Sequence, residues 1–156
     1  MTISLYEHDF AQWAQRQADL LRQGCWGDLD VEHLLEELDS MGASERRELV
    51  NRLAILLAHL LKWRYQPQRR GHSWRLTIKI QRLDVAAVLR QNPSLQPRLH
   101  EFFNEAYTKA ILQAARETGL DETATFPGDC PFSIEQVLDD DYWPDAAQSD
   151  LATGGD

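Results

Sequence analysis

Apolar residues recur along this chain at intervals of three and four, and glycine, proline or a capping side chain interrupts the recurrence where helices should end. Ser4 and Glu7 have the spacing of a capping box, and Phe10, Trp13, Ala14, Gln17 and Leu21 keep helical spacing until Gly24. This pattern predicts a first helix. Asp30 is placed to cap a second, short helix with Val31, Leu34, Leu35, Leu38 and Met41 as its core face, ending near Gly42. A third helix is predicted over about 44–65, closed by Pro67, which cannot continue it. Between Leu53 and Leu61 the sole polar residue is His59, so this helix is expected to be covered on most sides and central to the fold.

Trp74 to Gln91 reads as a fourth helix; Leu76 to Ile80 alternates like a strand, but the length of the periodic run favours a helix. After the corner NPSLQP, Leu99, Phe102, Phe103, Ala106 and Ala110 carry a fifth helix to Gly119. Leu120 to Pro131 reads as loop, and the Ser133/Gln136 spacing opens a short sixth helix. Phe126, Phe132, Val137, Leu138 and Trp143 hold enough apolar area to dock as a strap. The expectation is an all-α, compact bundle of five main helices plus a short C-terminal helix, forming one domain over 1–144. The small, acidic stretch 145–156 is expected to be a disordered tail.

Composition narrows the class. A chain of 156 residues, 43% of them hydrophobic, suits one core. MTISLYEHDF lacks a basic region leading into an apolar run, and no stretch approaches the ~18 apolar residues of a membrane span. No membrane contact and a cytoplasmic location are therefore expected. Cys25 and Cys130 form neither a disulfide framework nor a zinc set and read as free thiols.

Charge changes the picture most. Leu49 to Leu83 contains no acid and eight basic residues, Arg52, Lys62, Arg64, Arg69, Arg70, Arg75, Lys79 and Arg82, in a chain of formal charge -9. All 25 acids lie outside that stretch. Arg75, Lys79 and Arg82, with Arg90 two turns on, fall along one face of the fourth helix, while Arg52, His59, Lys62 and Gln66 fall on the third helix's polar stripe. Within KWRYQPQRRGHSW the candidate binding residues are Lys62, Trp63, Tyr65, Arg69, Arg70, Trp74, Arg75 and Lys79. Two roles compete for them. Guanidinium stems can pack on the aromatics while the charges pair with the chain's own acids, with Arg64 internal and acid-paired and Arg69 and Arg70 free in solvent. Alternatively, the arginines and rings can take up phosphates and unpaired bases. A sequence pI near 5.0 opposes the second role.

The ordered blocks YEHDFAQWAQRQADLLRQG, LDVEHLLEELDSMGASERREL, LLAHLLKWRYQPQRRGHSWRLTI, NPSL, ETGL and TFPGDCPFSIEQVLDDDYWP resemble the bacterial domain-of-unknown-function family 29, from about Leu5 to Pro144. The resemblance implies an all-helical fold and a bacterial cytoplasmic protein, and it implies no activity. The family's pattern dwells on the segments matching Glu36 to Gly42, His59 to Pro67, Ser73 to Arg75 and Phe126 to Pro144. At His33 the family more often carries asparagine, which weakens a ligand role there.

Catalytic motifs are missing: there is no GxSxG, P-loop, GxGxxG or HExxH, and no Cys/His pairing at catalytic spacing. His33 and Glu37 with His59 are the best metal-like set, and the plainer reading of the first two is a solvated i,i+4 pair. The Asp139, Asp140, Asp141 run lacks a calcium loop's oxygen spacing. No cofactor and no metal are expected. The leading functional reading is a non-catalytic helical interaction module with a protein partner, self-association included. Nucleic-acid association through the basic corner is the alternative, and a metal-dependent hydrolase ranks third.

Overall fold

A computed structural model of the chain describes residues 4–147. Residues 148–156, most of the expected tail, lie outside the described residues. The fold is all-α, with no strand among the described residues. The helices are α1 (Leu5–His8), α2 (Phe10–Arg22), α3 (Val31–Tyr65), α4 (His72–Gln91), α5 (Leu99–Thr118), α6 (Glu122–Thr125) and α7 (Ile134–Leu138). Short 3-10 turns occupy Trp26–Asp28, Pro67–Arg69 and Pro93–Arg98. None of the described helices is long and apolar enough to cross a membrane.

The chain divides into two compact units, one up to Ser44 and one from Glu45 onward. In the first, the single helix expected from Ser4 to Gly24 is two. The Ser4 side chain makes no capping bond; Asp9 leaves the helical region and its carboxylate accepts from the Gln12 amide at 3.0 Å, so α2 starts afresh. Gly24 ends it at φ 70, a conformation that strains other residues. Trp13 and Gln17 are the buried residues of α2, and both reach Asp30: the indole Nε1 donates to its Oδ2 at 2.9 Å, and its amide donates to Gln17 Oε1 at 2.8 Å.

In the second unit the core forms around α3 as its apolar run requires. Leu49, Leu53, Leu56, Leu57, Leu60 and Leu61 are fully buried against Ile78 and Val85 of α4, Phe102, Phe103, Ala106 and Ala110 of α5, and Phe126, Phe132 and Val137 of the C-terminal segment. The segment Leu76 to Ile80 is helical. Gly119 at φ 77 stops α5, and Asp121 caps the unexpected α6 by accepting from the amides of Thr123 and Ala124. Ser133 and Gln136 make both bonds of the expected capping box.

The largest departure is that the second and third predicted helices are one, running 35 residues without a break at Gly42. Glycine costs only ~1 kcal/mol inside a helix, comparable with what a few helix-forming neighbours contribute, and Gly42 does not adopt the positive φ of a stop. The predicted core face of that stretch is also overturned, because Val31, Leu35, Leu38 and Met41 are exposed.

Two outcomes follow. Gly42→Ala should stabilise the chain by up to about 1 kcal/mol in a thermal melt, because an alanine methyl removes the backbone-entropy penalty of a helical glycine; a loss of stability would place a real helix end there. Leu57→Ala should cost roughly 2 to 5 kcal/mol in urea denaturation, whereas a neutral result would remove α3 from the centre of the core.

Candidate docking surface

The basic-aromatic corner is built by the end of α3, the Pro67–Arg69 turn and the start of α4. Two of its candidate cations, Lys62 and Arg70, face inward. Lys62, expected on a polar stripe, is 4% exposed and gives its Nζ to Glu117 Oε2 at 2.5 Å, with the Trp74 ring 4.8 Å away. Burial works against the Glu117 carboxylate, yet the bond to Lys62 holds its carboxyl below the ordinary value. His59, also expected to be solvated, is partly buried, donates from Nδ1 to the Ile55 carbonyl at 2.8 Å and lies with Nε2 3.4 Å from Lys62 Nζ. Burial pushes its pKa down, so Nε2 is free to accept from the ammonium.

Arg70 and Arg82 serve the C-terminal segment rather than carboxylates. Arg70, expected free in solvent, donates from Nε to the Trp63 carbonyl at 2.6 Å and from Nη2 to the Pro144 carbonyl at 3.2 Å, with its guanidinium 5.1 Å from the Trp63 ring. Arg82, 3% exposed, donates from Nε to Val137 at 2.9 Å and from Nη2 to Tyr142 at 2.7 Å and Gln136 at 3.4 Å. Its Nη1 lies 3.5 Å from the Asp140 carbonyl. Gln136 and Val137 are among the last carbonyls of α7; Gln136 accepts from the Asp139 amide at 3.3 Å, and Arg82 adds its donors to both, capping that end by charge and geometry together.

The aromatic rings complete the strap. Trp63 packs on Trp143 at 4.8 Å and Tyr65 meets Phe126 edge-on at 5.3 Å. The Tyr107 hydroxyl donates to the Pro127 carbonyl, and burial raises that phenol's pKa. Arg64 was expected to be paired with an acid; instead it stands 5.7 Å from the Tyr65 ring, its carbonyl accepts from the Ala147 amide at 2.9 Å, and its Nε makes no hydrogen bond among the described residues.

Three of the candidate cations keep access to solvent. Arg69 is exposed 5.9 Å from Trp74, Arg75 is half-buried with Nη2 3.2 Å from His72 Nδ1, and Lys79 is exposed on α4. The eight sequence-selected residues are therefore divided in placement: Lys62, Trp63, Tyr65 and Arg70 pack toward the interior and the strap, and Arg69, Trp74, Arg75 and Lys79 border the outside.

The metal-like set separates as well. His33 Nδ1 lies 2.7 Å from Asp30 Oδ2, not against Glu37, whose Oε1 accepts from the Tyr6 hydroxyl. The Asp30 bond raises the His33 pKa and lowers that of Asp30. Tyr6 stacks on the His33 ring at 4.1 Å, and its phenol is raised to about 12, first by the bond to Glu37. No three His, Cys, Asp or Glu side chains converge as metal ligands among the described residues.

What the surface offers instead is apolar. Val31, Leu35, Leu38 and Met41 on α3 are 57–64% exposed at spacings of four, three and three, one continuous stripe. Glu32 and Asp39, seven residues apart, border it on one side. A second stripe, Leu76, Ile80 and Leu83 on α4, is 38–67% exposed and has Arg75, Lys79 and Arg90 beside it. Periodicity marks both stripes as apolar faces, and the local pattern does not distinguish a covered face from one that meets water.

A family model described as "Domain of unknown function DUF29" matches residues 5–143. No curated protein and no solved structure matches the chain.

Replacing Arg82 by methionine keeps the stem's volume and takes the guanidinium donors away from the Val137 and Tyr142 carbonyls. Arg82→Met should therefore lose about 2 to 4 kcal/mol in urea denaturation, while Arg75→Met stays within about 0.5 kcal/mol of wild type. Equal stabilities for the two variants would mean that Arg82 does not hold the strap.

Proposed function

The chain belongs to the DUF29 family, and for this member we propose a non-catalytic helical interaction module whose docking face is the α3 stripe of Val31, Leu35, Leu38 and Met41. The observation that carries the reading is the exposure of four large apolar side chains in succession on one helix, an arrangement that a partner helix buries through i, i+4, i+7 anchors. The unit holding the stripe is acidic, with Arg16 and Arg22 its only Lys or Arg residues against nine acids. A basic amphipathic helix is the partner whose charge fits. The same charge disfavours an anionic nucleic acid on this face. At the corner, Lys62, Arg70 and Arg82 are engaged internally, which leaves a nucleic-acid reading with Arg69, Arg75 and Lys79 to draw on.

Fluorescence anisotropy with labelled, designed amphipathic helices tests the reading. A helix with apolar residues at i, i+4 and i+7 and lysine flanks should bind wild type and bind Leu35→Asp/Leu38→Asp at least tenfold more weakly, the two proteins having the same helical circular dichroism. A glutamate-flanked version of the same helix should bind poorly to both. Equal affinity of wild type and the double variant for the basic helix would remove the α3 stripe as the docking face.

A further inference from the structure

We propose that the occupant of the α3 stripe is a second copy of this chain, presenting the α4 stripe of Leu76, Ile80 and Leu83. This rests on the docking reading above and names the partner. The two stripes have matching spacing: Val31, Leu35, Leu38 and Leu76, Ile80, Leu83 are both i, i+4, i+7 rows, so the side chains of one can fall between those of the other turn by turn.

Their borders are of opposite sign. Glu32 and Asp39 flank the first; Arg75, Lys79 and Arg90 flank the second. Asp140 and Asp141 share a shallow depression with Lys79 and Leu83, which sets Lys79 between two signs. Arg75 and Arg90, toward the two ends of α4, make no ion pair among the described residues. Asp84, the acid within α4, is already held by Arg52 Nη1 at 3.3 Å.

Like-with-like pairing is opposed by the same charges. An α3 stripe on another α3 stripe would bring Glu32 and Asp39 against their equivalents, and α4 on α4 would do so with the cations. The contact is heterologous: one copy's acidic-edged stripe receives the other's basic-edged stripe. It closes as a pair if both contacts form reciprocally and propagates if they do not.

Sedimentation of the full chain tests this. Wild type should gain mass with concentration, and raising the salt from about 0.05 to about 0.5 M should weaken the assembly at least threefold, since exposed edge charges are screened. Leu35→Asp/Leu38→Asp and Ile80→Asp/Leu83→Asp should each sediment as monomers. Mixed, they should associate again, because each retains the stripe that the other lacks. A wild type that stays monomeric up to about 100 μM overturns the proposal, and if it still binds the basic designed helix the docking reading survives without it. Self-association that survives the α4 substitutions, or a mixture that does not associate, overturns it as well. Assembly that does not respond to salt contradicts the charge pairing on its own, without any variant having to fold.

Discussion

Arg82 lies with its guanidinium against the backbone oxygens of Val137 and Tyr142, with those of Gln136 and Asp140 at the limit of bonding reach, in a place where water does not replace them. A buried cation is tolerated when its donors are satisfied and costs several kcal/mol when they are not, so the C-terminal segment and Arg82 must be ordered together. Burial lowers the guanidinium's pKa while the nearby Asp140 and Asp139 charges raise it, which gives the acidic run beside the strap a place in the same electrostatic arrangement. With the carbonyls so held, Phe126, Phe132 and Val137 lie in the core formed with α3 and α5, and Trp143 packs on Trp63.

That constraint redistributes the charge. The acid-free middle of the sequence suggests a basic surface, yet Arg70 and Arg82 are matched by carbonyl dipoles and Lys62 by Glu117. Neutral dipoles satisfy a cation without consuming a carboxylate, so most of the chain's acids remain outside and the surface keeps the negative sign of the whole. The molecule then presents helix faces whose apolar residues are edged by one sign or the other, and binding specificity follows from those edges.

Much of this was readable in the residues. The leucine run of α3, the Ser133/Gln136 capping box, the stops at Gly24 and Gly119 and the docking of Phe126 and Phe132 all depend on local pattern or on gross apolarity. The continuity of α3 through Gly42 was not readable, because a lone glycine's cost is comparable with what a few neighbouring residues contribute. Which cation turns inward was hidden too. Lys62 and Arg64 are two residues apart, and the choice rests on Glu117, 55 residues further on; Arg70 acquires its partner from Pro144, 74 residues away. Periodicity also reveals that the Val31 to Met41 row is apolar without revealing what covers it.

The claim that these rows meet each other is most directly tested at the side chains themselves, by hydroxyl-radical footprinting of the wild-type chain over a range of protein concentrations. Met41 and Leu83 are among its most exposed apolar residues, and Leu112 on α5 is comparably exposed but belongs to neither stripe. Oxidation of Met41 and Leu83 should fall together as concentration rises, with Leu112 unchanged. Modification of Met41 that is independent of concentration, or protection of Leu112 in equal measure, would contradict the pairing of α3 with α4 between copies.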